Sequence, residues 1–123
     1  MNYQTSNYEE SYRIVSKLSD KVWDSVISLK DSSQETIGYQ LIYVFNNILA
    51  HISEGNEQYF KNDKVKFYHY SKGMVMECVY WLEESFKRNL ITEDQHSELK
   101  TDFEKLLGSI NRLIKFTNLK LKK

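Results

Sequence analysis

Apolar side chains recur along this chain at three- and four-residue steps, the period of an amphipathic helix, in four separate runs. Tyr8, Tyr12, Val15, Leu18, Val22, Val26 and Leu29 form the first stripe, flanked by Ile14, Trp23 and Ile27. Ser6 followed by Glu9 has capping-box spacing, so a first helix is predicted over about 7–30. Ser32 and Glu35 repeat that spacing and open a second helix over 33–54, with Ile37, Leu41, Val44, Ile48 and Ile52 as its stripe. Gly55 is placed to close it in the left-handed conformation. The longest connection, Asn56 to Lys61, carries Tyr59 and Phe60, which are expected to fold back on the end of the assembly. A third helix is predicted over 62–88 and a fourth over 93–117, the latter opened by a Thr92–Gln95 capping box. Links this short permit only antiparallel neighbours, so the pattern predicts one all-α domain over 1–123, an up-down-up-down four-helix bundle.

Two helices depart from simple amphipathicity. The second has an outward arc of Tyr39, Tyr43, Asn46, Asn47, Ala50 and Ser53, and no Lys or Arg lies between Ser32 and Gly55. The third carries two stripes: Val65, Tyr68, Val75, Val79, Leu82 and Phe86, then Phe67, Tyr70, Met74, Cys78 and Trp81. Together with Met76 they cover roughly 240° of the helix, more than one bundle core requires. A partner is expected to cover the surplus. The interface expected for self-association is Tyr39, Tyr43, Asn46, Ala50, Met74, Cys78 and Trp81.

Charge changes this picture little. Seventeen basic and seventeen acidic residues cancel, which removes any global attraction to nucleic acid or an acidic membrane. Their distribution is uneven, however. Residues 1–60 hold eight acids and four bases, residues 61–123 nine and thirteen. No acid follows Glu104, whereas Lys105, Arg112, Lys115 and Lys120 do, and these four are the candidate nucleic-acid contacts. Basic residues at a helix C-terminus also complement its dipole. A single cysteine excludes an internal disulfide, the polar start MNYQTSNYEES reads as no leader, and no apolar run approaches the ~20 residues of a membrane span. The expected location is the cytoplasm.

Candidate chemistry is sparse. Glu93 with His96, and His51 with Glu54, have i, i+3 spacing, but capping and surface polarity account for both, so no metal site is expected. His69 lies on a polar side of the third helix, and Cys78 within its apolar arc reads as a buried inert thiol. Phosphate-cradling glycine loops, zinc ligand sets and nucleophile elbows are all missing. The sequence predicts a non-enzyme without cofactor, and no small-molecule substrate emerges. Gly73 sits mid-helix, where it costs ~1 kcal/mol relative to Ala, so a close backbone approach is expected there. Glu77 follows one turn later, either bonded to Gln40, Asn47 or His51 or turned into water.

Ile48, Ala50, Ile52, Glu54 and Gly55 at the end of the second helix, then Phe67, Gly73 and Glu77, carry a resemblance. With Leu90 and Thr92-Glu93 in the next turn, the chain resembles, over about 8–116, the bacterial four-helix bundle proteins encoded within 23S rRNA intervening sequences. The family's proline is Leu49 here, its asparagine His51, and its usual arginine pair Ile42 and Tyr43. The resemblance implies a bundle and a ring-like homo-oligomer, commonly a pentamer. Relatives include the accessory variability determinant of diversity-generating retroelements, a basic bundle that binds nucleic acid and a reverse transcriptase. The function expected is therefore a self-assembling binding or scaffold subunit. Its alternative is a nucleic-acid-binding accessory protein, associated with rRNA or a reverse transcriptase, that uses the basic fourth helix.

Overall fold

A computed structural model describes residues 3–122, and side chains from Asn7 onward. Four helices run antiparallel in chain order. Helix α1 spans Tyr3–Ile27. Helix α2 is continuous but composite: a first turn over Asp31–Ser33, a π-helical turn over Gln34–Gly38, then Tyr39–Glu57. Helix α3 spans Lys61–Lys87 and α4 spans Glu93–Lys120. Each helix packs on its chain neighbours and α4 closes against α1, so the cyclic order is α1–α2–α3–α4. Among the described residues there is no strand, and no helix is long and apolar enough to cross a membrane.

The predicted stripes supply the core. Val15, Leu18 and Val22 of α1 meet Leu41, Val44, Phe45, Ile48 and Ile52 of α2. Tyr68, Val75, Cys78 and Leu82 come from α3, and Leu99, Phe103, Leu106, Ile110 and Leu113 from α4. Phe45 and Phe103 meet edge to face across the centre, with centroids 6.3 Å apart. The Ser11 and Ser109 hydroxyls satisfy one another inside the core at 2.7 Å. Ser71 Oγ donates to the Ile48 carbonyl at 3.1 Å and ties α3 to α2. Several residues of the stripes lie outside this core: Tyr12, Trp23, Ile27 and Phe86 are exposed.

Helix ends show which sequence signals were sufficient. The Thr92–Gln95 capping box forms in both directions: Gln95 N–H donates to Thr92 Oγ1 at 3.0 Å, and Thr92 N–H to Gln95 Oε1 at 2.9 Å. Helix α3 closes in a Schellman motif, with Asn89 left-handed at φ 60°, Leu90 N–H bonded to the Ser85 carbonyl and Asn89 N–H to that of Phe86. By contrast, α2 starts after Lys30 with no side-chain cap, so the Ser32–Glu35 box does not form. The Ser6–Glu9 box lies outside the described side chains. Helix α1 stops at Ile27 rather than Lys30, and Gln34 Nε2 donates to the Ile27 and Leu29 carbonyls at the junction.

The end of α2 requires a second correction. Helix α2 runs to Glu57, and Gly55 sits inside it with ordinary helical φ, so it terminates nothing. Its role is steric. A Cβ at position 55 would lie 2.7 and 2.9 Å from Tyr68 ring carbons and 3.1 Å from the Lys64 carbonyl oxygen. Gly38 serves similarly within the π-turn, where a Cβ would meet Val26 Cγ1 of α1 at 3.0 Å. Beyond α2, Tyr59 and Phe60 do not fold back; both are exposed, and their rings meet edge to face at 5.1 Å. The buried Lys64 amino group instead closes this end of the bundle by donating to the Asn56 carbonyl at 2.8 Å.

Candidate functional site

The outer face of α2 and α3 gathers apolar surface that the chain does not cover. On α2, Tyr39 and Tyr43 are 61% and 59% exposed and stack with centroids 6.1 Å apart, because a four-residue step places them on one side of the helix. Asn46 and Ala50 continue that exposed strip, and Asn47 turns its amide back to donate to the Tyr43 carbonyl. On α3, Tyr70, Met76 and Tyr80 are each about half exposed, at 45%, 52% and 56%. Tyr80 meets the partly buried Trp81 edge to face at 5.1 Å. At the seam of the two helices, His51 lies between Phe67 and Tyr70, with centroids at 6.3 and 5.7 Å. Its Nδ1 is buried and has no hydrogen-bond partner among the described residues.

Of the residues expected at a self-association surface, Tyr39, Tyr43, Asn46 and Ala50 are exposed together. Met74 and Trp81 are half-buried against the core edge. Cys78 is a correction: it is wholly buried among the chain's own core side chains and has no surface to offer. Burial pushes its thiol up to about 12, which suppresses the thiolate. Tyr70 and Tyr80 belong to the face although the expected set omitted them; the wide apolar arc of the third helix was the signal for Tyr70, whereas Tyr80 lay outside that arc.

One further expectation changes and one open alternative is decided. Gly73 has no close approach within the chain, since a Cβ there would meet nothing within 4 Å. Glu77 is exposed and makes no bond to Gln40, Asn47 or His51 among the described residues. The remaining motif positions divide cleanly. Ile48 and Ile52 are core, Gly55 admits Tyr68, and Ala50 and Glu54 face outward.

The basic stretch of α4 is partly engaged. Arg112 grips the Glu10 carboxylate of α1, and that hydrogen bond holds Glu10 below the usual carboxylate range. Lys21 binds Asp102 at 2.7 Å and Glu98 at 2.8 Å, which raises it to about 12. Lys105 and Lys115 are exposed, as is Lys120 at the helix end. At the opposite end of α4, His96 stacks on Phe86 at 4.1 Å and bonds Glu83 Oε1 through Nε2 at 2.9 Å. That contact holds the Glu83 carboxyl low. Among the described residues, no three His, Cys, Asp or Glu side chains gather closely enough to hold a metal ion.

No curated protein matches this sequence. A crystal structure of a protein of unknown function from the S23 ribosomal protein family of Bacteroides thetaiotaomicron superposes with a TM-score of 0.74. It is 17% identical and is matched over 91% of this chain and 97% of its own, which shows a shared fold. Residues 9–112 match the family described as 23S rRNA-intervening sequence protein, and that match spans α1 through most of α4. The chain thus belongs to the 23S rRNA-intervening sequence protein family.

Proposed function

We propose that this protein is a non-enzymatic, cytoplasmic helical subunit that assembles with copies of itself and acts as a binding or scaffold component. One observation carries the reading: Tyr39 and Tyr43 on α2, with Tyr70 and Tyr80 on α3, stand exposed along two adjacent helices of a bundle whose core they do not enter. Monomers rarely leave contiguous apolar patches beyond a few hundred Å² in water, and larger ones mark interfaces. An interface of ~800 Å² per subunit would suffice to hold copies together at micromolar concentration. A stoichiometry of five follows from the family resemblance alone. Size exclusion with light scattering is the test, on protein at about 10 µM, where a standard interface is populated. A mass several times 14.7 kDa is expected, and a monodisperse species at 14.7 kDa overturns the reading.

A second reading, nucleic-acid binding through α4, is favoured by the acid-free stretch after Glu104. It is opposed by the neutral whole and by Glu10, which already occupies Arg112. Binding of structured RNA or duplex DNA is therefore expected to be weak, micromolar or poorer at roughly physiological salt, and steeply salt-dependent because phosphate contacts release counterions. Fluorescence anisotropy over a salt series measures it. Submicromolar affinity that is lost on truncation after Leu113 would reverse the order of the two readings.

A further inference from the structure

The bundle end that carries the α2–α3 loop holds an apolar cluster outside the core. Tyr59 is 86% exposed, Phe60 53%, and Leu119 on the last turn of α4 65%. The loop backbone is extended at Gln58 and Phe60, with φ −71° and −85°, so the chain leaves α2 and enters α3 through a protruding corner. Phe60 borders a shallow cleft of about 390 Å³ whose other walls are Lys61, Asn62, Asp63 and Lys122. The fold thus sets a lysine of the C-terminal tail beside the loop aromatics, far from it in sequence.

Charge is sorted along the same axis. Residues 3–10, 54–64 and 112–122 at this end hold five acids and six bases, whereas 24–35 and 83–98 at the other end hold eight and three. Of the five acids, Glu10 is already engaged by Arg112. The neutral chain is therefore electrically polar, and its aromatic tip is at the positive end.

We propose that this end docks on an anionic lipid bilayer, with Tyr59, Phe60 and Leu119 entering the headgroup layer and Lys61 and Lys122 meeting lipid phosphates. Aromatic and aliphatic side chains settle at that depth, and lysines beside an anionic surface add an attraction that salt screens. Shape selects this occupant. The cluster protrudes instead of forming a groove, which suits a plane better than a partner helix. Tyr59 and Phe60 meet at 87°, so they offer no parallel platform for successive bases of a single strand. A second copy placed tip to tip would set lysine against lysine. The acidic far end is repelled by the same lipids, which stands the bundle on its tip. Attachment is peripheral, since no described helix is long and apolar enough to cross. The contact needs no self-assembly and stands apart from that reading.

Flotation of the full-length chain with vesicles tests it. Wild type should float with phosphatidylcholine vesicles containing about one-third phosphatidylglycerol, and should stay behind with phosphatidylcholine alone. High salt should release it. Tyr59→Ser with Phe60→Ser, and separately Lys61→Glu with Lys122→Glu, should each weaken binding by roughly tenfold or more. All four side chains lie outside the core, so helix content by circular dichroism should hold in both. Ile27→Ser, at the other end and 67% exposed, controls for general stickiness and should float like wild type. In Phe60→Trp, emission should shift to the blue on adding anionic vesicles, beyond any change that Trp23 and Trp81 show in wild type. A wild-type chain that stays behind with anionic vesicles overturns the proposal, as does flotation that both tip variants leave intact. Single-stranded RNA binding that requires Tyr59 and Phe60, with vesicles ignored, also overturns it and assigns the tip to nucleic acid.

Discussion

Alanine at position 55 should destabilise the fold, whereas alanine at position 73 should stabilise it, although both replace a glycine inside a helix. At Gly55 the new methyl would fall 2.7 Å from the ring of Tyr68, a side chain with no exposed surface, and 3.1 Å from the Lys64 backbone. Neither neighbour is a flexible end that can swing aside, so α2 and α3 must part. The Ser71–Ile48 bond two turns away would be strained by the same movement. Overpacking of this kind costs about 1–3 kcal/mol, and the ~1 kcal/mol gained in helix propensity offsets only part of it. At Gly73 the steric term vanishes and the propensity gain of ~1 kcal/mol stands alone. For a chain of this size each kcal/mol moves the thermal midpoint by roughly 3–6 °C. Melts of the two variants at a concentration below the onset of association should shift in opposite directions. A midpoint for Gly55→Ala at or above wild type would show that the helices separate there without cost.

The second large effect is on association. Tyr43→Lys should raise the half-dissociation concentration by roughly 30-fold or more, the effect of losing a central aromatic anchor worth about 2 kcal/mol or above. Tyr43 is more than half exposed and touches Tyr39 rather than the core, so the bundle itself should melt as before. Lysine at that point must shed water to enter an apolar contact, and the stacked Tyr39 loses its neighbour. Asn118→Lys, an exposed change on the last turns of α4, is the matched control and should leave the assembled mass unchanged. Equal behaviour of the two variants in light scattering would place the interface elsewhere.

The stripes fixed by three- and four-residue steps located the core well, because burial is what that period records. Ile48, Ile52, Leu82 and Phe103 are all inside, and the Thr92–Gln95 cap forms because both of its partners are local. Glycine was the least legible residue. A missing side chain is compatible with a left-handed turn, a close neighbour or contact from outside, and the sequence alone does not separate these. The position of Gly55 after a stripe thus signals a helix end although it makes a contact, and that of Gly73 within one signals a contact although its surroundings are open. The wide apolar arc of the third helix had the same ambiguity. It marked Cys78 and Tyr70 alike as needing cover, but the first is covered by this chain and the second is nearly half exposed. Tyr59 and Phe60 were expected to find the bundle end, yet Lys64 reaches it first with its bond to Asn56.

The π-turn at Gln34–Gly38 left no signature in composition, and its consequence concerns chain length. A turn closed by i→i+5 bonds holds one residue more than an α-turn. Deleting a single residue there returns the turn to α-geometry and rotates only the short stretch from Asp31 relative to the rest. The phase of Tyr39–Glu57 is untouched, so Ile48 and Ile52 still point inward. The same deletion a few residues later would turn part of the helix by about 100° and carry one of those isoleucines out of the core. Helix α2 thus has a place where its reading frame of side chains can absorb a lost residue, and that place lies at the handover from α1, ahead of Leu41, Val44, Phe45, Ile48 and Ile52, its contribution to the core.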